Sequence, residues 1–160
     1  ALKKSLLDVG CGSGRYSNIL AKKKDYVLGI DFSEKMIGYA KENANLEKLK
    51  NLEFKVVSYQ DFEYQRKFDA VICMGFFDYI NDAKDVIIKI LKNDPKIFLG
   101  SFPKKKNFLN FVRRFRYYVN NCPLYYYDLN FLKSFEKDFP NYVFDFIDLG
   151  REYYLRVTKK

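Results

Sequence analysis

The stretch from Leu6 to Tyr16 constrains this chain more than any other. It reads Leu-Leu-Asp-Val-Gly-Cys-Gly-Ser-Gly-Arg-Tyr. Apolar residues run through Asp8 into glycines at every second position, Gly10, Gly12 and Gly14, and a helical pattern follows. That order predicts a strand, a tight turn and a helix N-terminus. Glycine takes positive φ at no steric cost and leaves bare backbone for a ligand to approach. The helix opening near Arg15 offers unpaired N–H groups to a carboxylate or phosphate. A glycine turn with no ligand is the plainer alternative. Alternate glycines, however, weaken a helix start unless something needs the space.

The spacing rules out two nucleotide-binding patterns. In G-x-G-x-x-G the third glycine, counted from Gly10, falls at Arg15; counted from Gly12, it falls at Ser17. No Gly-Lys-Ser/Thr follows, so a P-loop is excluded as well. What stands here is Asp8-x-Gly10-x-Gly12-x-Gly14. This resembles motif I of the class I S-adenosylmethionine-dependent methyltransferases. The resemblance implies that Gly10, Cys11, Gly12 and Gly14 pass under the methionine part of that cofactor, with Asp8 helping to hold its amino end.

Strand and helix patterns alternate along the chain. Strands are expected at 5–9, 26–30, 52–57, 68–73 and 97–102. Helices are expected at 15–23, with Tyr16, Ile19 and Leu20 on one face, and at 34–45, with Met36, Ile37 and Ala40 at core spacing. Ser33 is placed to cap the latter. Further helices are expected at 82–91 and 128–139. The segments 142–147 and 152–157 alternate like an antiparallel pair joined near Gly150. The expected fold is α/β, a Rossmann-like three-layer α/β/α sandwich. Its sheet is mostly parallel and seven-stranded, with a C-terminal antiparallel hairpin. Residues 1–160 are read as a single domain, with 103–127 forming a basic and aromatic cap within it. Helices precede the first strand in the resembling family, so the chain is expected to be a piece of a longer protein.

Apolar residues make up 48% of the 160, which supports a packed core rather than disorder. No apolar run is long enough to span a membrane. Cys11, Cys73 and Cys122 are odd in number and widely spaced, so a disulfide framework or metal site is not expected and the chain is assigned to a reducing cytoplasm. The formal net charge of +9 is diffuse along the sequence, with concentrations at 104–106 and 113–118. Histidine is absent. Any general base is therefore a carboxylate, tyrosine, lysine, cysteine or water.

The resemblance extends to further positions. Asp31 ends the second strand, and Asp31-Phe32-Ser33-Glu34-Lys35-Met36 matches the family's common form. It implies that Asp31 accepts both ribose hydroxyls of the cofactor and that Phe32 and Met36 border the adenine. Asp61 would accept from the adenine amino group, Phe62 would give a backbone N–H, and Met74 would give a carbonyl to the cofactor's amino group. Many small-molecule O-methyltransferases of this type carry His-Tyr where this chain has Asp78-Tyr79. Asp78 is thus the candidate base or orienting acceptor, with Tyr79 beside it; a helix-buttressing Asp78 is the alternative. Phe77, Arg113, Arg116 and Tyr126 are candidate contacts for an anionic or aromatic substrate. The arginines fit a solvated amphipathic helix equally well. Phe102-Pro103, the Arg-rich segment and Gly150-Arg151-Glu152-Tyr153-Tyr154 loosely resemble magnesium-protoporphyrin O-methyltransferases.

The function expected is methyl transfer from S-adenosylmethionine to a small-molecule oxygen. Two rivals stand beside it. One is a nucleic-acid methyltransferase, which the charge and the aromatic cap permit. The other is a cofactor-binding module without turnover.

Overall fold

The computed structural model describes residues 4–105 and 124–160. Arg113, Arg116 and Cys122 lie outside the described residues. Seven strands form one sheet in the order β3-β2-β1-β4-β5-β7-β6. These are β1 (Ser5–Val9), β2 (Tyr26–Asp31), β3 (Leu52–Val56), β4 (Ala70–Cys73), β5 (Ile97–Pro103), β6 (Tyr142–Asp148) and β7 (Glu152–Lys159). Strands β1 to β5 pair in parallel, while β7 runs antiparallel to both β5 and β6. β1 is buried along its whole length, and so is β4, as the apolar sequences of central parallel strands require.

Alternate residues of each strand feed the two faces. Leu7, Val9, Leu28, Ile30, Val71 and Phe98 meet Ile87 and Ile90 of α3 (Ala83–Lys92) in the main core. Leu6, Val27, Ala70 and Ile72 face the other way, against Ala21 of α1 (Arg15–Ala21). Ile37 and Ala40 of α2 (Glu34–Leu46) pack there on Cys11 and Phe54. Ser33 caps α2 as expected, its hydroxyl accepting the Met36 N–H at 3.3 Å. The strand order reverses between β1 and β4, so their carboxyl ends flank the crevice where ligands of open α/β sheets bind.

Three local expectations are corrected. In α1 the buried residues are Ser17, Asn18 and Ala21, whereas Tyr16 and Ile19 are exposed. The face toward the sheet carries small side chains because the Ser17 hydroxyl must reach Asp8 in β1. Met36 is exposed, and the inward face of α2 consists of Ile37, Ala40 and Ala44. The helix expected at 128–139 is two short pieces, Leu129–Lys133 and Phe135–Asp138. At their junction the Ser134 hydroxyl donates to the Phe131 carbonyl at 2.7 Å, a side-chain bond that competes with helix continuation.

Candidate active site

The glycine turn is built as its sequence demands. Gly10, Gly12 and Gly14 have φ of 68°, 53° and 80°, all in the left-handed region. Packing gives Gly10 and Gly14 a second reason to be glycine. A Cβ at Gly10 would stand 2.7 Å from Phe76 Cδ2, and one at Gly14 would stand 2.8 Å from Phe54 Cζ. Gly12 differs: among the described residues, a Cβ there would meet nothing within 4 Å. Its open side is a shelf of bare backbone at the carboxyl end of β1.

Asp31 ties that shelf to β2. Its Oδ2 accepts the Gly12 N–H at 3.0 Å, and its Oδ1 accepts the Ser33 N–H at 2.9 Å. Each oxygen keeps a lone pair for a further donor. Beside it Phe32 is 78% exposed, and Met36 is exposed on the next turn. Neither is core, so both face the solvent that a planar ligand group would displace.

Asp8 lies beneath the turn, buried, and its Oδ2 accepts the Ser17 hydroxyl at 2.6 Å. Burial pushes its pKa up to about 6; the Ser17 bond opposes the shift and the Asp31 charge adds to it. Asp8 therefore ties β1 to the first turn of α1 and bears on the glycine turn through its charge. The Cys11 side chain packs with Ile37, Ala40 and Phe54, and burial raises its thiol pKa. Cys11 belongs to the turn through its backbone carbonyl, which accepts the Gly14 N–H at 3.0 Å, and through its thiol, which donates to the Gly12 carbonyl at 3.7 Å.

The loop after β4 forms the other wall. Met74 is half-buried against the Leu6 cluster, and the Gly75 N–H donates to the buried Ser101 hydroxyl at 2.8 Å. A short 3₁₀ turn, Phe77–Tyr79, carries Asp78, which is buried, and Tyr79, which is exposed. Segment 124–127 clamps this turn. The Tyr125 N–H donates to the Asp78 carbonyl at 2.9 Å, and the Tyr127 hydroxyl lies 2.5 Å from the Ile80 carbonyl and 3.2 Å from that of Phe77. Phe77, expected beside a substrate, is instead wholly buried and stacks on Phe102 at 4.1 Å. A ring that fills the core there has no surface to offer.

Asp61 and Phe62 follow β3. Asp61 is exposed, its Oδ2 accepting the Ser58 hydroxyl at 2.6 Å, while the Phe62 ring is buried and its N–H donates to the Tyr59 carbonyl at 3.3 Å. Both line a cleft of about 500 Å³ that runs past Lys55 and Arg66 to Tyr26. Tyr126 lines another, of about 400 Å³, with Asp82, Asp85 and Asp128. Neither cleft is lined by the glycine turn. Ser17 and Ser101 carry no local signal as site residues, because the groups they bond, Asp8 and Gly75, lie on other elements.

The family described as "Methyltransferase domain" matches residues 3–116. Among curated proteins, a ubiquinone biosynthesis O-methyltransferase of Pelagibacter ubique is 35% identical over 102 residues, 62% of this chain and 42% of that protein. Its Coxiella burnetii counterpart is 32% identical over 128 residues, covering 75% and 53%. The chain thus spans about half the length of the curated relatives it matches. Among solved structures, magnesium protoporphyrin IX methyltransferase from Synechocystis, with bound SAH, superposes with a TM-score of 0.77 at 21% identity. That match covers 97% of this chain and 74% of that one, and it shows the shared fold. With a family match across most of its length and the glycine turn, strand order and terminal hairpin in place, the chain belongs to the class I methyltransferase-domain family.

Proposed function

We propose that this domain binds S-adenosylmethionine on the glycine shelf and directs its methyl group to an oxygen of a small molecule. The observation that carries the reading is Gly12, with positive φ, an N–H fixed by Asp31 and a side left open among the described residues. The cofactor supplies an activated methyl group on a sulfonium, so the protein need only orient, desolvate and manage a proton.

Asp31 is suited to accept the ribose hydroxyls with the lone pairs left by Gly12 and Ser33. Phe32 and Met36 offer apolar surface to the adenine, and Asp61 an acceptor near its amino group. The Gly10–Gly14 backbone carries the methionine part, and Asp8 adds negative potential below the amino end. Asp78 orients or takes the proton of the acceptor hydroxyl, with Tyr79 presented beside it and Tyr126 at the rim. The O-methyltransferase names of the sequence relatives support oxygen as the acceptor atom. Tyr79 and Tyr126 suit an aromatic molecule, and Arg113 and Arg116 of the sequence an anionic one. The free, buried Cys11 and Cys73 fit a reducing cytoplasm, and among the described residues no helix is long and apolar enough to cross a membrane.

Methyl-labelled cofactor incubated with cell extract tests the assignment. Label is expected in the small-molecule fraction and lost with Asp31→Ala. Label confined to ribonuclease-sensitive material would overturn it.

A further inference from the structure

The lysines are dispersed along the sequence, yet the fold gathers them. All of β1 to β5 start at one end of the sheet, opposite the glycine turn, and antiparallel β7 finishes there. The Lys159 N–H donates to the Lys96 carbonyl and the Lys160 N–H to that of Asn141, which closes this end. It is made of residues 4, 22–25, 47–51, 66–69, 92–96, 136–141 and 159–160. They carry thirteen Lys or Arg against six Asp or Glu, and twelve of the thirteen are lysine. The rest of the chain is close to neutral, with sixteen against fourteen.

Several of these lysines are tied to acids, as in Lys22–Glu47 and Lys96–Asp69, each at 2.7 Å. Among the described residues, Lys23, Lys24, Lys48 and Lys50 form no ion pair. Cations are favoured at helix C-termini, which accounts for Lys22, Lys23, Lys48 and Lys92. It does not account for Lys4, Lys50, Lys67, Lys96 or Lys160. A second observation stands among them: Leu46, at the last turn of α2 and two residues before Lys48, is 82% exposed.

We propose that this lysine pole seats the domain on an anionic lipid bilayer, with Leu46 entering the headgroup boundary and the glycine shelf facing the water. Lysines near such a surface each contribute to binding, and an apolar tip adds burial at the interface. Single-stranded nucleic acid would call for arginine forks and exposed aromatic rings. The pole has one arginine, Arg66, whose guanidinium already lies 4.6 Å from the centre of the Tyr26 ring, and none of its aromatic residues is exposed.

Co-sedimentation with vesicles tests this. Wild type is expected to pellet with equimolar phosphatidylcholine–phosphatidylglycerol vesicles but not with phosphatidylcholine alone. Binding should fall as salt rises from about 50 mM to about 300 mM. Replacing Lys23, Lys24, Lys48 and Lys50 by Gln should lower the partition coefficient at least about tenfold, and Leu46→Ser should lower it at unchanged salt dependence. Gln at Lys35, Lys84 and Lys105, away from the pole, should leave it unaltered. Equal loss in both lysine sets, equal binding to neutral vesicles, or tighter binding to single-stranded RNA that ignores Leu46→Ser would each overturn the proposal. Titration with S-adenosylhomocysteine on the pole variants is expected to be unchanged. Its outcome separates failure of this proposal from failure of the cofactor assignment.

Discussion

At the carboxyl end of β1 and β2 the chain places left-handed glycines, a buried carboxylate and a side-chain clamp. At the amino end of the same strands it places short links of exposed lysine. The first end is shaped by backbone geometry, where one added carbon collides with a neighbouring ring. The second is shaped by charge, where most lysine side chains are exposed and several pair with an acid. Parallel strands force this division, because they put all their beginnings on one side and all their ends on the other. One end of the fold is therefore intolerant of substitution and suited to hold a small ligand, while the other is tolerant and suited to meet a broad surface.

The contrast is most sharply broken at Gly14. Gly14→Val would force a branched side chain into φ of 80° and against Phe54 and Ala40. A loss of about 3 kcal/mol or more is expected in denaturant unfolding. Next comes the buried carboxyl of Asp8. Its pKa is raised from 3.8 to about 6, so the native state holds this proton more tightly than the unfolded chain does. Its contribution to stability is full below about pH 4 and is lost as pH rises through about 6, a swing of up to about 3 kcal/mol. Asp8→Asn should flatten the fall in Tm across that window; an unchanged pH profile would refute the burial argument. Ser17→Ala removes the hydroxyl that Asp8 accepts and is expected to cost about 1–2 kcal/mol by thermal denaturation. At the other end, the Lys23, Lys24, Lys48 and Lys50 substitutions should each shift stability by no more than about 0.5 kcal/mol.

The glycine turn, Asp31 and the terminal hairpin could be read from the sequence because their signals are local. Positive φ needs glycine, a strand end needs its acid, and period-two alternation needs only a few residues. The inward face of α1 could not. Periodicity favoured Tyr16 and Ile19, but the partner demanded by a buried carboxyl nine residues earlier turned Ser17 inward. Phe77 was misplaced for a similar reason, since its stacking partner Phe102 lies on β5, distant in the sequence. The lysine end was read as diffuse charge because its members are neighbours only once the strands align.

Gly12 tests the central claim most directly, because folding and binding separate there. Gly12→Ala places a methyl group in open space at φ of 53°, so stability should fall by only about 1 kcal/mol. The same methyl group would stand on the shelf. Calorimetric titration with S-adenosylhomocysteine is expected to show binding to wild type and at least about tenfold weaker binding to the folded Gly12→Ala protein. No binding to wild type, or equal affinity for both proteins, would contradict the glycine shelf as the cofactor site.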